Sequence, residues 1–232
     1  MTSIGLFGAS GRMGQAIAEV VCERDDVNIV EDDCDVFVDF SAPDGLQRHL
    51  NIAVEVGKPI VIGTTGLGPD HQTLIDHAAE SIPVLQAANT SLGVNLLAHL
   101  VREAAARLGP DWDIEIVEMH HRHKVDAPSG TALYLGKAAA DGRGVDLQKV
   151  SDRGRDGNAG PRQDGAIGFA ALRGGSVAGD HQVIFASDGE RIEFGHRAES
   201  RTIFAKGAVE AAAWIMDKPA GRYSMADVLG LK

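Results

Sequence analysis

The densest polar stretch of the chain runs Glu118-Met119-His120-His121-Arg122-His123-Lys124-Val125-Asp126-Ala127-Pro128-Ser129-Gly130-Thr131. Histidine and lysine side chains can hand over a proton near neutral pH. Ser129-Gly130-Thr131 reads as a helix start, whose N–H groups can hold a carboxylate. Together they describe a site for a small dianion that must receive a proton. A metal site is the sharper rival. His120, His121 and His123 lack the i, i+4 spacing of helical zinc hydrolases, and no cysteine helps them, so no metal is expected. A solvated charged loop is the bland alternative.

A second candidate site is Gly8-Ala9-Ser10-Gly11-Arg12-Met13-Gly14, which follows an apolar run and opens a helical pattern. Glycines there allow a tight turn and let a pyrophosphate approach bare N–H groups at a positive helix end. Dinucleotide binding also needs an acidic group on the second strand for a ribose hydroxyl, and Glu31, Asp32 and Asp33 stand at that place. An acidic run repels a 2′-phosphate, which favours NADH over NADPH, although Arg12 could reach that phosphate. Gly63-Thr64-Thr65-Gly66 and Ala87-Ala88-Asn89-Thr90-Ser91 lie at strand ends and could line a nicotinamide slot. Ordinary loop chemistry accounts for them equally well. Arg173-Gly174-Gly175, Gly179-Asp180-His181 and His196–Arg201 are read as salt-bridge or solvent-face residues near strand ends.

These residues need a scaffold. Apolar runs at 3–7, 27–30, 36–40, 59–62 and 83–85 alternate with helical patterns at about 12–21, 44–56 and 70–80. Several runs are too continuously apolar for one-sided strands, as in a parallel sheet covered on both faces. That is an α/β, Rossmann-like doubly wound sheet, whose ligands bind beyond the carboxyl ends of the strands. After about residue 91 the texture changes. A helix at 93–107, a strand at 113–118, a helix after Pro128, a mobile Gly/Arg/Asp-rich loop at 151–165 and three antiparallel strands at 167–172, 181–186 and 191–196 are predicted. The plan is a dinucleotide-binding domain of residues 1–91, completed by 202–232. An α+β domain of residues 92–201, with a mixed or antiparallel sheet, is inserted into it and carries the polar stretch read as the substrate site.

Composition sets outer bounds. The 232 residues carry a net charge of −11, which argues against a nucleic-acid binder. Cys22 and Cys34 are too few for a disulfide framework and are read as reduced thiols. No leader-like segment or membrane-length apolar run is apparent, so a cytoplasmic protein without a membrane partner is expected.

The run from Glu118 to Ala132 closely resembles the signature of the 4-hydroxy-tetrahydrodipicolinate reductase family. Gly8–Gly14, Val38-Asp39-Phe40-Ser41, Gly63–Gly66, Gly93-Val94-Asn95 and Phe194–Arg201 match it in order, so the resemblance covers essentially the whole chain. It implies NAD(P)H-dependent reduction of the ring substrate in lysine and diaminopimelate biosynthesis. His120 would be the catalytic proton donor or acceptor and Lys124 the proton donor. Thr65, His121, Lys124, Ser129, Gly130 and Thr131 would bind the dicarboxylate. Gly8, Ser10, Gly11, Arg12, Met13, Gly14, Glu31, Asp32, Phe40, Gly63, Thr64, Thr65, Ala87, Ala88, Asn89 and Thr90 would hold the cofactor. The two ligands would meet between the glycine turn and the His-Lys stretch. A homotetramer assembled through the second domain's sheet is implied. Two departures stand out: the segment before Val36 is shorter than in longer members by about a strand-helix unit, and Thr90 replaces a usual aromatic. Rival readings are another Rossmann dehydrogenase acting on an amino or hydroxy acid, a catalytically silent dinucleotide sensor and a metal hydrolase.

Overall fold

The structure, a computed structural model, describes residues 1–231. The chain begins β1 (Thr2–Phe7), α1 (Arg12–Cys22), β2 (Val27–Val30), β3 (Val36–Asp39), a 3-10 turn at Pro43–Gly45, α2 (Leu46–Glu55), β4 (Ile60–Ile62), α3 (Pro69–Ala79) and β5 (Pro83–Gln86). It continues through α4 (Leu92–Arg107), β6 (Asp113–His120), α5 (Gly130–Arg143), α6 (Leu147–Val150), β7 (Ser151–Asp152), β8 (Ile167–Arg173), β9 (Gly179–Ser187) and β10 (Glu190–Ala198). It closes with α7 (Thr202–Ile215), β11 (Gly221–Tyr223) and α8 (Met225–Val228). Two compact units result, one of Met1–Leu92 with Arg201–Lys232 and one of Gly93–Ser200.

The first unit is a six-stranded sheet in the order β11-β5-β4-β3-β1-β2. Every pairing in it is parallel. Because successive strand residues face opposite ways, the two faces bury different sets. Ile4, Val36, Val38, Val61 and Leu85 pack with Ile17, Val20 and Val21 of α1 and Ala208, Val209 and Ile215 of α7. Ile60, Ile62 and Val84 pack on the other side with Leu46, Leu50 and Ile75 of α2 and α3. Each such Val, Leu or Ile side chain removed from water contributes about 1.5–3 kcal/mol. The sheet is therefore doubly wound, and the continuous apolar strands follow from cover on both faces.

The route from β2 to β3 explains the short segment noted above. These strands flank β1, so the chain must cross it in only five residues, 31–35. Gly5 makes room: a Cβ there would lie 2.7 Å from Cys34 Sγ and 2.9 Å from the Phe37 ring. Asp33 turns the chain with φ of 52°. Asp35 then locks the crossing by accepting the Ser3 N–H at 2.8 Å and the Ser3 hydroxyl at 2.7 Å.

The second unit is a five-stranded mixed sheet in the order β10-β9-β6-β8-β7. The prediction of three antiparallel strands is corrected in one respect. β9 pairs antiparallel with β6 and β10, but β8 runs parallel to β6. The intervening helix α5 returns the chain to the starting edge, as a parallel crossover requires. The segment read as a mobile loop at 151–165 is tied down at several points. Ser151–Asp152 pairs with β8, Arg155 bonds Glu115, and Arg162 bonds Asp113 and Glu115.

Burial along β6 alternates strictly, with Ile114, Ile116, Glu118 and His120 on the covered face. Ile114 and Ile116 pack with Val101 of α4 and Leu135 of α5. Glu118 and His120 continue that row, so the strand's period carries two ionisable groups to the end of an apolar core. On the opposite face Val117, Met119, Leu172, Asp180, Gln182 and Arg197 line a groove of about 400 Å³.

Candidate active site

The strands of the first unit's sheet are parallel, so their carboxyl ends share one edge. Phe7, Val30, Asp39, Ile62 and Gln86 end there, and the loops that follow carry the predicted cofactor residues. Gly8 turns with φ of 83°, and a Cβ on it would sit 2.6 Å from the Phe40 carbonyl oxygen. A Cβ on Gly14 would fall 2.3 Å from the Gly8 oxygen. The turn is thus drawn tight against bare backbone. Helix α1 has no side-chain cap and no acidic residue in its first turn. Its exposed N–H groups and positive end fit a pyrophosphate. Ser10, Gly11 and Arg12 are exposed beside it, Met13 is partly covered, and Glu31 and Asp32 are exposed just past β2.

Phe40 closes this edge over Gly63, where a Cβ would meet its ring at 2.2 Å. Thr65 and Ala88 are exposed, whereas Thr64, Ala87 and Thr90 are buried. Thr90 donates its hydroxyl to the Phe204 carbonyl at 2.7 Å, and Asn89 Oδ1 accepts the Ser91 N–H at 2.9 Å.

A buried hub organises these loops. The Asp39 carboxylate accepts the Ser41 hydroxyl at 2.6 Å, the Ser41 N–H at 2.9 Å and the Thr64 hydroxyl at 3.1 Å. His49 Nδ1 lies 2.8 Å from its other oxygen, and the His49 ring stacks on Phe7 at 3.9 Å. One carboxylate therefore ties together the ends of β3 and β4 and the first turns of α2.

The second unit builds its cluster at the end of β6. His120 Nδ1 lies 2.6 Å from Glu118 Oε2. Arg173, opposite His120 in the β6–β8 register, forks onto both Glu118 oxygens at 2.8 and 2.9 Å. The Ser129 N–H reaches Glu118 Oε1 at 3.1 Å. Burial alone would raise the Glu118 pKa, but Arg173 and His120 outweigh it and hold the carboxyl below its usual range.

Helix α5 starts at Gly130 with Ser129 as its cap, the Ser129 hydroxyl accepting the Ala132 N–H at 3.2 Å. Lys124 pairs with Asp126 at 2.8 Å, which holds the Asp126 carboxyl below its usual range. His121 is partly covered, and its N–H donates to the Val177 carbonyl at 2.8 Å. Thr131 is partly covered in the first turn of α5. Thus His120, His121, Lys124, Ser129, Gly130 and Thr131 occupy one strand end, one loop and one helix start.

Of the residues read as salt-bridge or solvent-face groups, Arg173 is as expected and His181 needs correction. Arg173 does form a salt bridge, but with the carboxylate that holds His120. His181 is only 5% exposed, with its ring 5.1 Å from that of His120. Residue type and spacing alone assign no role to Glu118, Asp39 or His49. The available signals were the period-two row Ile114-Ile116-Glu118-His120 and the position of His49 among the buried Leu46, Leu50 and Ala53 of α2.

Comparison with known proteins agrees with this architecture. A family model described as "Dihydrodipicolinate reductase, N-terminus" matches residues 2–32 and 25–90, the two pieces overlapping within the shortened segment. Its companion, "Dihydrodipicolinate reductase, C-terminus", matches residues 93–229. The 4-hydroxy-tetrahydrodipicolinate reductase of Zymomonas mobilis is 56% identical over 246 residues, covering 98% of this chain and 97% of the relative. That of Pseudomonas fluorescens is 44% identical over 267 residues, covering all of both chains. A dipicolinate-bound dihydrodipicolinate reductase from Paenisporosarcina sp. TG-14 shares the fold, with a TM-score of 0.78 and 22% identity over 98% of each chain. With both family models and relatives of this similarity spanning it, the chain belongs to the 4-hydroxy-tetrahydrodipicolinate reductase family.

Proposed function

We propose that the chain reduces 4-hydroxy-tetrahydrodipicolinate to tetrahydrodipicolinate with NAD(P)H, in lysine and diaminopimelate biosynthesis. The single observation that carries this reading is the cluster at the end of β6. There an imidazole bonded to a buried carboxylate lies on the same strand-loop-helix run as a lysine and a helix start. A bound reduced nicotinamide supplies the hydride. One hydride and one proton enter the ring system, and the 4-hydroxyl leaves as water.

The chain's own residues manage charge and protons. His120, bonded to Glu118 through Nδ1, works through Nε2, and the Lys124 ammonium is a proton donor on the same loop. Hydride addition to a conjugated imine builds negative charge, so cations close to that charge lower the barrier. His121, Lys124, Ser129, Gly130 and Thr131 hold the substrate carboxylates. The Gly8–Gly14 turn receives the pyrophosphate. Phe40, Gly63, Thr64, Thr65 and Ala87–Thr90 hold or shape the nicotinamide end, the buried Thr64 and Thr90 acting by fixing their loops. Glu31 and Asp32 receive the ribose and disfavour a 2′-phosphate, which makes NADH the preferred cofactor.

The open sheet face of the second unit, with Val117, Met119 and Leu172 around its groove, supports homotetramer assembly through that surface. Among the described residues no helix is long and apolar enough to cross a membrane. A cytoplasmic setting follows from the biosynthetic role.

A coupled assay tests the reading. A synthase generates the ring substrate in place, and loss of reduced nicotinamide absorbance is followed with each cofactor. Turnover with the ring compound and a lower KM for NADH are expected. Turnover with an amino or hydroxy acid, and none with the ring compound, would instead select another dehydrogenase.

A further inference from the structure

We infer that Glu118 and Arg173 are positioning residues, a buried carboxylate and its guanidinium partner that fix the His120 imidazole and the start of α5 as one rigid piece. The inference rests on the reading above, in which His120 handles a proton.

Four donors surround the Glu118 carboxylate. Oε2 takes His120 Nδ1 at 2.6 Å and one Arg173 nitrogen at 2.8 Å. Oε1 takes the second Arg173 nitrogen at 2.9 Å and the Ser129 N–H at 3.1 Å. An ionised carboxylate only accepts, so Nδ1 of His120 must carry its hydrogen. Nε2 is then the nitrogen left to give or take a proton. Gly179 keeps the space beside it open, since a Cβ there would lie 3.0 Å from Nε2.

The same carboxylate thus sets the tautomer of the imidazole and anchors the residue that caps the anion-binding helix. Arg173 extends the device further. It donates to the Asp126 carbonyl at 2.6 Å and to the Leu172 carbonyl at 2.6 Å. One guanidinium therefore fastens Glu118 to the loop that carries Lys124.

Stability alone does not account for this pair. Glu118 is 1% exposed and continues the apolar row Ile114-Ile116 beneath α5. Replacing a buried ion pair by apolar residues of similar volume is often neutral or stabilising. What an apolar residue cannot do is fix which ring nitrogen holds the hydrogen.

The test uses Glu118→Gln and Arg173→Lys in the full chain. ¹⁵N NMR of the imidazoles, with His120→Asn for assignment, reads the tautomer of His120 without any substrate. Wild type is expected to show hydrogen on Nδ1. Glu118→Gln should give mixed tautomers, because an amide both donates and accepts. Its kcat should fall at least about tenfold, as when an orienting carboxylate is neutralised beside a catalytic histidine. Its KM for the dinucleotide should stay at the wild-type value.

Arg173→Lys keeps the charge but loses the two-pronged fork. It should retain the Nδ1 tautomer while kcat falls, and it stands in if Glu118→Gln does not fold. A purely structural role would lower the melting temperature and leave tautomer and kcat unchanged. That outcome in Glu118→Gln, or an unchanged kcat in Arg173→Lys if only that variant folds, overturns the inference. A wild-type protein that shows the Nδ1 tautomer, lost in Glu118→Gln, but never turns over the ring substrate would overturn the proposed function instead.

Discussion

His181 Nε2 lies 3.1 Å from the Ser129 hydroxyl, so a buried histidine on β9 contacts the cap of helix α5, the proposed anion-binding helix. Burial, reinforced by the charge of His120, pushes the His181 pKa down from 6.5 to about 4. Its Nδ1 is buried with no hydrogen-bond partner among the described residues. The ring is therefore neutral at neutral pH.

This contact has a pH signature. The folded pKa of His181 lies below its unfolded value, so the unfolded chain takes up the proton first and stability rises with pH between them. The contribution is fully present above about pH 6.5 and is lost as the pH falls toward 4. The loss is up to about 3 kcal/mol. As the pH is lowered from 7 to 4, urea midpoints should fall more steeply in wild type than in His181→Gln. Parallel curves would remove His181 as a source of acid sensitivity.

The glycine turn can be tested by contrast. A Cβ on Gly14 would lie 2.3 Å from the Gly8 oxygen, whereas one on Gly11 would lie 3.2 Å from the same atom. Gly14→Ala must push backbone apart and Gly11→Ala need shift it only slightly. Fluorescence titration should show NADH affinity falling at least about tenfold in Gly14→Ala, which is about 1.4 kcal/mol. Gly11→Ala should lose much less. Equal losses would mean that tightness of the turn does not set affinity.

Asp39 is fully buried and its carboxylate serves four donor groups, so removing it takes the shared acceptor from all of them. Asp39→Ala should cost about 3 kcal/mol in unfolding free energy, in the range for breaking a buried pair. It should also weaken NADH binding, because Ser41 and Thr64 lose their common anchor. Unchanged affinity in a destabilised variant would confine Asp39 to folding.

Much of this was legible beforehand because the signals were local. Val36–Val38 and Ile60–Ile62 are apolar without a break, and a sheet covered on both sides buries such runs. The Gly8–Gly14 turn and the Ser129 cap declare themselves by residue type and spacing. What escaped depends on contacts remote in sequence. The parallel pairing of β8 with β6 is set by α5 crossing over the sheet, not by alternation within Ile167–Arg173. Arg173 and Glu118 meet only because that pairing exists. The strand β11, Gly221–Tyr223, has three residues and no pattern of its own. It forms because β5 offers it an edge. Asp39 and His49 looked like ordinary polar residues until the helix placed one over the other.

The most direct test of the account is the turnover of Lys124→Ala, measured beside its affinity for NADH. Lys124 lies on the second unit's loop, and the glycine turn that would receive the dinucleotide belongs to the first. Loss of a proton donor should cut kcat on the ring substrate on the order of a hundredfold or more. The dissociation constant for NADH should stay within about twofold of wild type, since uniform binding is untouched. Full kcat in this variant would contradict the assignment of the proton to the His120–Lys124 loop.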